Sequence, residues 1–143
     1  MKIQQLSLFS ENKPGHLIEP CRLLAREGID MQALSLADSQ RFGILRMIVS
    51  DWRRALRLLE ESGYIVKLTE VVAVEVPDHP GGLSQVLDLF EGTIVNIEYM
   101  YAFPTVRGEK AVLIFRFDQP DAAIEILSRG GVTVLDSGAL DAR

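Results

Sequence analysis

Cysteine is nearly missing from this chain: Cys21 stands alone among 143 residues, which excludes an internal disulfide and any zinc site built on paired cysteines. The N-terminus lacks the basic-then-apolar pattern of a secretory signal, and no stretch approaches the ~18 to 20 apolar residues of a membrane span. A cytoplasmic location with no membrane partner is therefore expected. Basic residues are also in short supply, with 15 Lys and Arg against 20 Asp and Glu, for a net charge of -5. Through Val71 the count is 10 basic against 9 acidic, and from Val72 onward it is 5 against 11. The second half repels phosphate, and the whole lacks the positive footprint that supplies most nucleic-acid affinity, so no nucleic-acid partner is expected. Histidine occurs only at positions 16 and 79, neither within a set of three or four ligand-type residues, so no metal site and no cofactor are expected. Catalytic signatures are missing too. The chain contains no GxSxG, no GxxxxGK and no HExxH, and an enzyme is not expected.

What is present is a repeat. Asn12-Lys13-Pro14-Gly15-His16-Leu17 matches Asp78-His79-Pro80-Gly81-Gly82-Leu83 at an offset of 66 residues. The same register sets Ile29-Asp30-Met31-Gln32 on Val95-Asn96-Ile97-Glu98, and Leu6 and Leu8 on Val72 and Val74. After a two-residue lengthening near Val106 to Glu109, expected to lie in a loop, the offset is 68: Ile44-Leu45 meets Val112-Leu113, Leu56 meets Ile124, Leu59 meets Leu127 and Gly63 meets Gly131. That period is too long for a solenoid and indicates a duplicated domain. The boundaries read as residues 1–69 and 70–143, with no flexible linker between them.

Within the first copy, residues 2–10 alternate as a strand and residues 15–27 place Leu17, Cys21, Leu24 and Ala25 at helical spacing. Gly28 ends that helix, Ile29 to Ala37 reads as extended, Asp38-Ser39-Gln40 as a hairpin turn, and Phe42 to Val49 as the next strand. Asp51 is a good N-cap for a helix carrying Trp52, Ala55, Leu56 and Leu59, which Gly63 stops before the strand Tyr64 to Val66. In the second copy Leu83, Val86, Leu87 and Phe90 mark the first helix face, and Ala123, Ile124 and Leu127 the second. The order βαββαβ occurs twice. With right-handed crossovers each copy closes as a four-stranded antiparallel sheet with both helices on one face, so the fold class is α+β, two tandem ferredoxin-like units.

A unit of about 70 residues leaves its other sheet face open. In the second copy Ile97, Tyr99, Tyr101 and Phe103 are expected on one side of their strand, with Met100 and Ala102 on the other. Both sides are apolar, which predicts cover on both faces and a homodimer.

The two Pro-Gly segments sit where a first strand hands over to a first helix. Unpaired N–H groups and the dipole at a helix start suit an anion, and glycine lets a ligand approach the backbone. Such a segment also serves as an ordinary helix start. The strand, the loop Asx-x-Pro-Gly-x-Leu, the helix, and the apolar extended segment after the next glycine together resemble the ACT domain, a small-molecule regulatory domain of amino-acid metabolism. Both copies carry the pattern over nearly the whole chain, as in stand-alone proteins made of two tandem ACT domains.

That resemblance implies a sensor of free amino acids, with the ligand at an interface between one domain's first loop and another's second strand, acting on a regulated enzyme that the sequence does not name. Carried over by position, Asn12, Gly15, His16 and Leu17 line one site, and Asp78, Gly81, Gly82 and Leu83 its pseudo-symmetric counterpart. Main-chain N–H groups hold the ligand carboxylate, the Asx side chain accepts from its ammonium, and Asn96 and Glu98 reach it from the second strand of copy two. Asp30 and Gln32 are their counterparts in copy one. His16 faces Gly82 across the repeat, and Lys13 faces His79, so equal occupancy is not expected. Asp78 with Glu98 favours a ligand carrying a hydrogen-bond donor, histidine being one candidate.

Cys21 shares the apolar face of Leu17 and Leu24 and reads as core. Trp52 reads as an anchor at a helix start, and Arg53, Arg54 and Arg57 as a solvated face. A structural assembly protein whose loops are only helix starts is the alternative to the sensor.

Overall fold

The computed structural model describes residues 1–141, the side chains of residues 105–107 excepted. It divides into two compact units, Gln4–Thr69 and a second formed by Met1–Ile3 with the chain from Glu70 onward. The first contains β1 (Ile3–Glu11), α1 (Ile18–Arg26), β2 (Met31–Ser39), β3 (Phe42–Val49), α2 (Trp52–Glu61) and the opening of β4 (Ile65–Pro77). The second takes the rest of β4, then α3 (Gly82–Asp88), β5 (Ile97–Arg107), β6 (Lys110–Phe117), α4 (Pro120–Arg129), β7 (Val134–Leu135) and α5 (Ser137–Asp141). Strand order is β2-β3-β1-β4 in one and β5-β6-β4-β7 in the other, the ferredoxin-like arrangement twice over. Among the described residues no helix is long and apolar enough to cross a membrane.

The cores repeat as the elements do. In the first unit Leu6, Leu8, Leu45 and Met47 on the sheet pack with Leu24, Ala55 and Leu59 from the helices. In the second, Val72, Val74, Phe115 and Phe117 pack with Val86, Ala123 and Leu127. Leu59 and Leu127 occupy equivalent positions and are both fully buried, each worth roughly 1.5–3 kcal/mol of transfer free energy. Asp51 caps α2 as expected, accepting from the Arg54 N–H at 3.3 Å.

Several boundaries differ from the sequence reading. α1 starts at Ile18, not residue 15, because Gly15 takes φ +82° and breaks the helical run; Pro20 then falls in the first turn, where a missing N–H costs nothing. α3 ends at Asp88, although Phe90 beyond it still stacks on Phe117 at 5.2 Å. The β2–β3 turn is at Gln40, φ +57°, so Asp38 and Ser39 lie in the strand. The two extra residues of the second copy lengthen β5 to 11 residues against 9 in β2, absorbed by an irregularity between Phe103 and Val106 rather than by a loop. β-Bulges also fall between Met31 and Ala33 and between Ile97 and Tyr99, at equivalent positions. The second turns Ile97 toward Phe117 and the helices, so it does not share a face with Tyr99, Tyr101 and Phe103.

Cover is also less complete than expected. Phe103 is buried on the face away from the helices, but Met100 and Ala102, on the helix side, are exposed. Their repeat partners Leu34 and Leu36 are exposed at 53% and 49%, so neither helix pair reaches over the second strand of its own unit. Cys21 is half-buried, not core, and Arg54 is not simply solvated: it donates to the Glu27 carbonyl at 2.7 Å and to its carboxylate at 2.8 Å.

At the start of the second unit Lys2 lies 3.1 Å from Asp121 and 3.6 Å from Glu70. Its hydrogen bond to Asp121, and the negative charge of both carboxylates, raise the Lys2 amine above the ordinary 10.5.

Candidate functional site

Past the end of β1 the chain must turn sharply to enter α1, and the sequence supplies Pro14 and Gly15 for it. Asn12 ties this turn to the β2–β3 hairpin: its N–H donates to the Arg41 carbonyl at 2.8 Å and its Nδ2 to the Gln40 carbonyl at 3.4 Å. It does not cap α1, whose N-cap is Leu17 with no side-chain bond. The His16 N–H donates to Lys13 and the Ile18 N–H to Gly15. Among the described residues, the N–H groups of Gly15, Leu17 and Glu19 have no backbone acceptor. These are donors of the kind that a helix start offers to an anion. Residues 12–18 line a cleft of about 440 Å³ beside them, while Leu17 also packs against the core.

His16 has a built environment. Ser10 Oγ lies 2.7 Å from its Nδ1, and its Cε1 sits 2.9 Å from where a Cβ of Gly43 would be. His16 lines the loop cleft and a neighbouring one of about 350 Å³ that includes Ser10, Glu11, Glu19 and Tyr64. The charges nearby are paired: Lys13 with Glu11 at 3.5 Å and Arg22 with Glu19 at 3.2 Å. Sequence reasoning missed Ser10 and Gly43. The signal was there in the repeat, where Ser10 faces Val76 and Gly43 faces Ala111.

The second loop copies the first in outline only. The Asp78 N–H donates to the Glu109 carbonyl at 2.9 Å, as Asn12 does to Arg41. Gly81 takes φ +88° as the N-cap of α3, and Ser84 Oγ donates back to the Gly81 carbonyl at 3.0 Å. Gly82 is buried, and a Cβ there would fall on the Pro77 carbonyl oxygen. Leu83 packs into the core. The adjacent cleft, about 180 Å³, is lined by Glu75, Pro77, Gln85, Val86, Leu89, Lys110 and Gly130 to Thr133, with Asp78 to Leu83 left out.

Asn96 and Glu98 stand at the opposite end of β5 from the hairpin that holds Asp78. The strand's 11 residues span about 30 Å at its usual rise, so the second unit does not itself bring its loop and these residues together. The Asn96 N–H donates to Asp118 Oδ1 at 2.8 Å, just as Asp30 uses Ser50 Oγ at 3.0 Å. Glu98, at the bulge, accepts from Arg116 Nε at 3.1 Å, and Arg116 also donates to the Glu70 carbonyl at 2.8 Å. Gln32 at the matching bulge is buried, 8% exposed.

Comparison with known proteins agrees with this duplicated architecture. A solved structure of a protein from Bacteroides thetaiotaomicron is similar at 39% identity and TM-score 0.90, covering 98% of this chain and 96% of that one. The ligand-free regulatory subunit of aspartate kinase from Thermus thermophilus shares the fold at 18% identity and TM-score 0.63, covering 89% and 91%. The corresponding subunit from Thermus flavus does so at 20% identity and TM-score 0.59, covering 90% and 92%. No curated protein matches the chain significantly. The family model for the ACT domain pair matches residues 1–140, and the chain belongs to that family.

Proposed function

We propose that this ACT domain pair is a non-catalytic regulatory protein that binds a free amino acid at its Pro-Gly loops and acts on an enzyme or other partner it controls. The observation that supports this reading is the head of α1, where N–H donors without backbone acceptors line an open cleft next to Asn12. An α-carboxylate satisfies such donors and gains from the helix dipole, and in this reading the Asn12 side-chain oxygen accepts from the ligand ammonium. Asp78, Gly81, Gly82 and Leu83 are the second, pseudo-equivalent set, with Asn96 and Glu98 as contributors from a second strand. The same reading has the chain working as a homodimer.

The test is a thermal-shift screen of the full chain against the twenty free amino acids at millimolar concentration, with Gly15→Val and Gly81→Val in parallel. A ligand present at ~100 times its Kd adds about 2.7 kcal/mol to the folded state. A selective rise in melting temperature, lost in one variant, names the ligand and the loop. The exposed Leu34 and Leu36, with Met100 and Ala102, favour a second reading, an assembly protein with no ligand, and silence toward all twenty amino acids decides for it.

A further inference from the structure

Three differences between the copies fall on one spot. Where the first unit has Ser10, His16 and Gly43, the second has Val76, Gly82 and Ala111. Together they remove a ring, the hydroxyl that pins it and the space it occupies. The same fold closes without the trio, so the trio is not a requirement of the fold.

Resting on the amino-acid-sensing reading, we propose that His16 is the specificity-determining side chain of the first loop. It selects an amino acid whose own side chain ends in a hydrogen-bond acceptor, a carboxylate or carboxamide, and it does so at one site per chain. The ring is fixed from two sides, by Ser10 at 2.7 Å and by the buried Gly43 beneath it. Assigning the Ser10 hydroxyl as donor to Nδ1 places the proton of the neutral imidazole on Nε2. That N–H is the ring's remaining polar group, and His16 is among the residues lining both clefts of the loop. With Lys13 and Glu11 paired to each other, and Glu19 to Arg22, the imidazole is a neutral donor able to read a ligand side chain, with the Tyr64 hydroxyl further along the second cleft. In the second copy Gly82 has no side chain, and the loop presses against the Pro77 carbonyl where any side chain would project. Position 82 therefore offers no side-chain donor.

Isothermal titration of the full chain tests this, using L-glutamate, L-glutamine, L-aspartate and L-asparagine against L-alanine, L-leucine and L-lysine. One of the first four binds tightest, at one per chain. His16→Gly weakens it about tenfold to a hundredfold, the loss of one hydrogen bond to a polar or charged group, and weakens L-alanine by a smaller factor. His16→Gln, which keeps a donor, retains most of the affinity, and Ser10→Ala, which frees the ring, loses part. Circular dichroism of each variant controls for folding. Tightest binding of L-leucine or L-lysine, two equal sites per chain, or an affinity indifferent to His16→Gly overturns this inference and leaves amino-acid sensing standing. Silence toward all seven overturns this inference, and silence toward all twenty in the thermal-shift screen overturns amino-acid sensing with it.

Discussion

Gly82 and Gly15 are both glycines of a Pro-Gly loop, yet they are glycine for different reasons. Gly15 takes φ +82° with only Ile18 Cδ1 near a would-be Cβ, at 3.8 Å, so Gly15→Ala meets backbone strain alone, about 1 kcal/mol. Gly82 lies against the backbone of Pro77, which cannot swing aside as a side chain would. Gly82→Ala is expected to destabilise by about 1–3 kcal/mol or more and by more than Gly15→Ala, as measured by urea unfolding of the two variants side by side. Equal losses would show that Pro77 yields. This difference is hard to see in sequence, where alignment presents Gly82 as a match to His16 and says nothing of the carbonyl below it. Ser10 was missed for a related reason: a serine ending a strand needs no partner to be unremarkable, and its pairing with His16 depends on how the loop folds back.

Secondary-structure elements were more legible than their ends. The 3.6-residue spacing of Ala55, Leu56 and Leu59 and the alternation of Leu6 and Leu8 reflect burial against one core, and burial leaves a periodic mark on a sequence. Bulges leave none. One residue inserted in a ladder reverses which side chains face the helices, and that is why Ile97 was placed on the wrong side of β5 and why the extra residues of the second copy were expected in a loop. Just before β1 lies another feature with no periodic mark, the Lys2 contacts to Asp121 and Glu70. Because these carboxylates raise the Lys2 amine above 10.5, the folded chain holds that proton more tightly than the unfolded one. The contribution is therefore whole below the ordinary lysine value and fades as pH climbs through the raised one. Lys2→Gln should lower the melting temperature at pH 7, and its gap from the parent chain should close in strongly alkaline buffer; a constant gap would mean that the charge plays no part.

The duplication was the most legible property of the molecule, since one offset aligned loop, strands and helix at once and each alignment checked the others. The fold class follows from that repeat and is shared with the aspartate kinase regulatory subunits. The proposed pairing between copies of the chain rests on a weaker trace, the apolar residues Leu34, Leu36 and Met100 that are exposed in the single chain. A homodimer burying them should give twice the chain mass by light scattering after gel filtration, and Leu36→Lys with Met100→Lys should shift the mass to one chain; no shift would place the interface elsewhere. One last consequence belongs to β4, whose 13 residues close the first unit and open the second without a break. Domain boundaries usually fall in exposed linkers that few contacts cross, where a chain can be cut. Here a cut at residue 70 would give each product half a strand, and the downstream product would also lose Met1 to Ile3, including Lys2. Neither repeat is therefore expected to be as stable when expressed alone as it is within the pair.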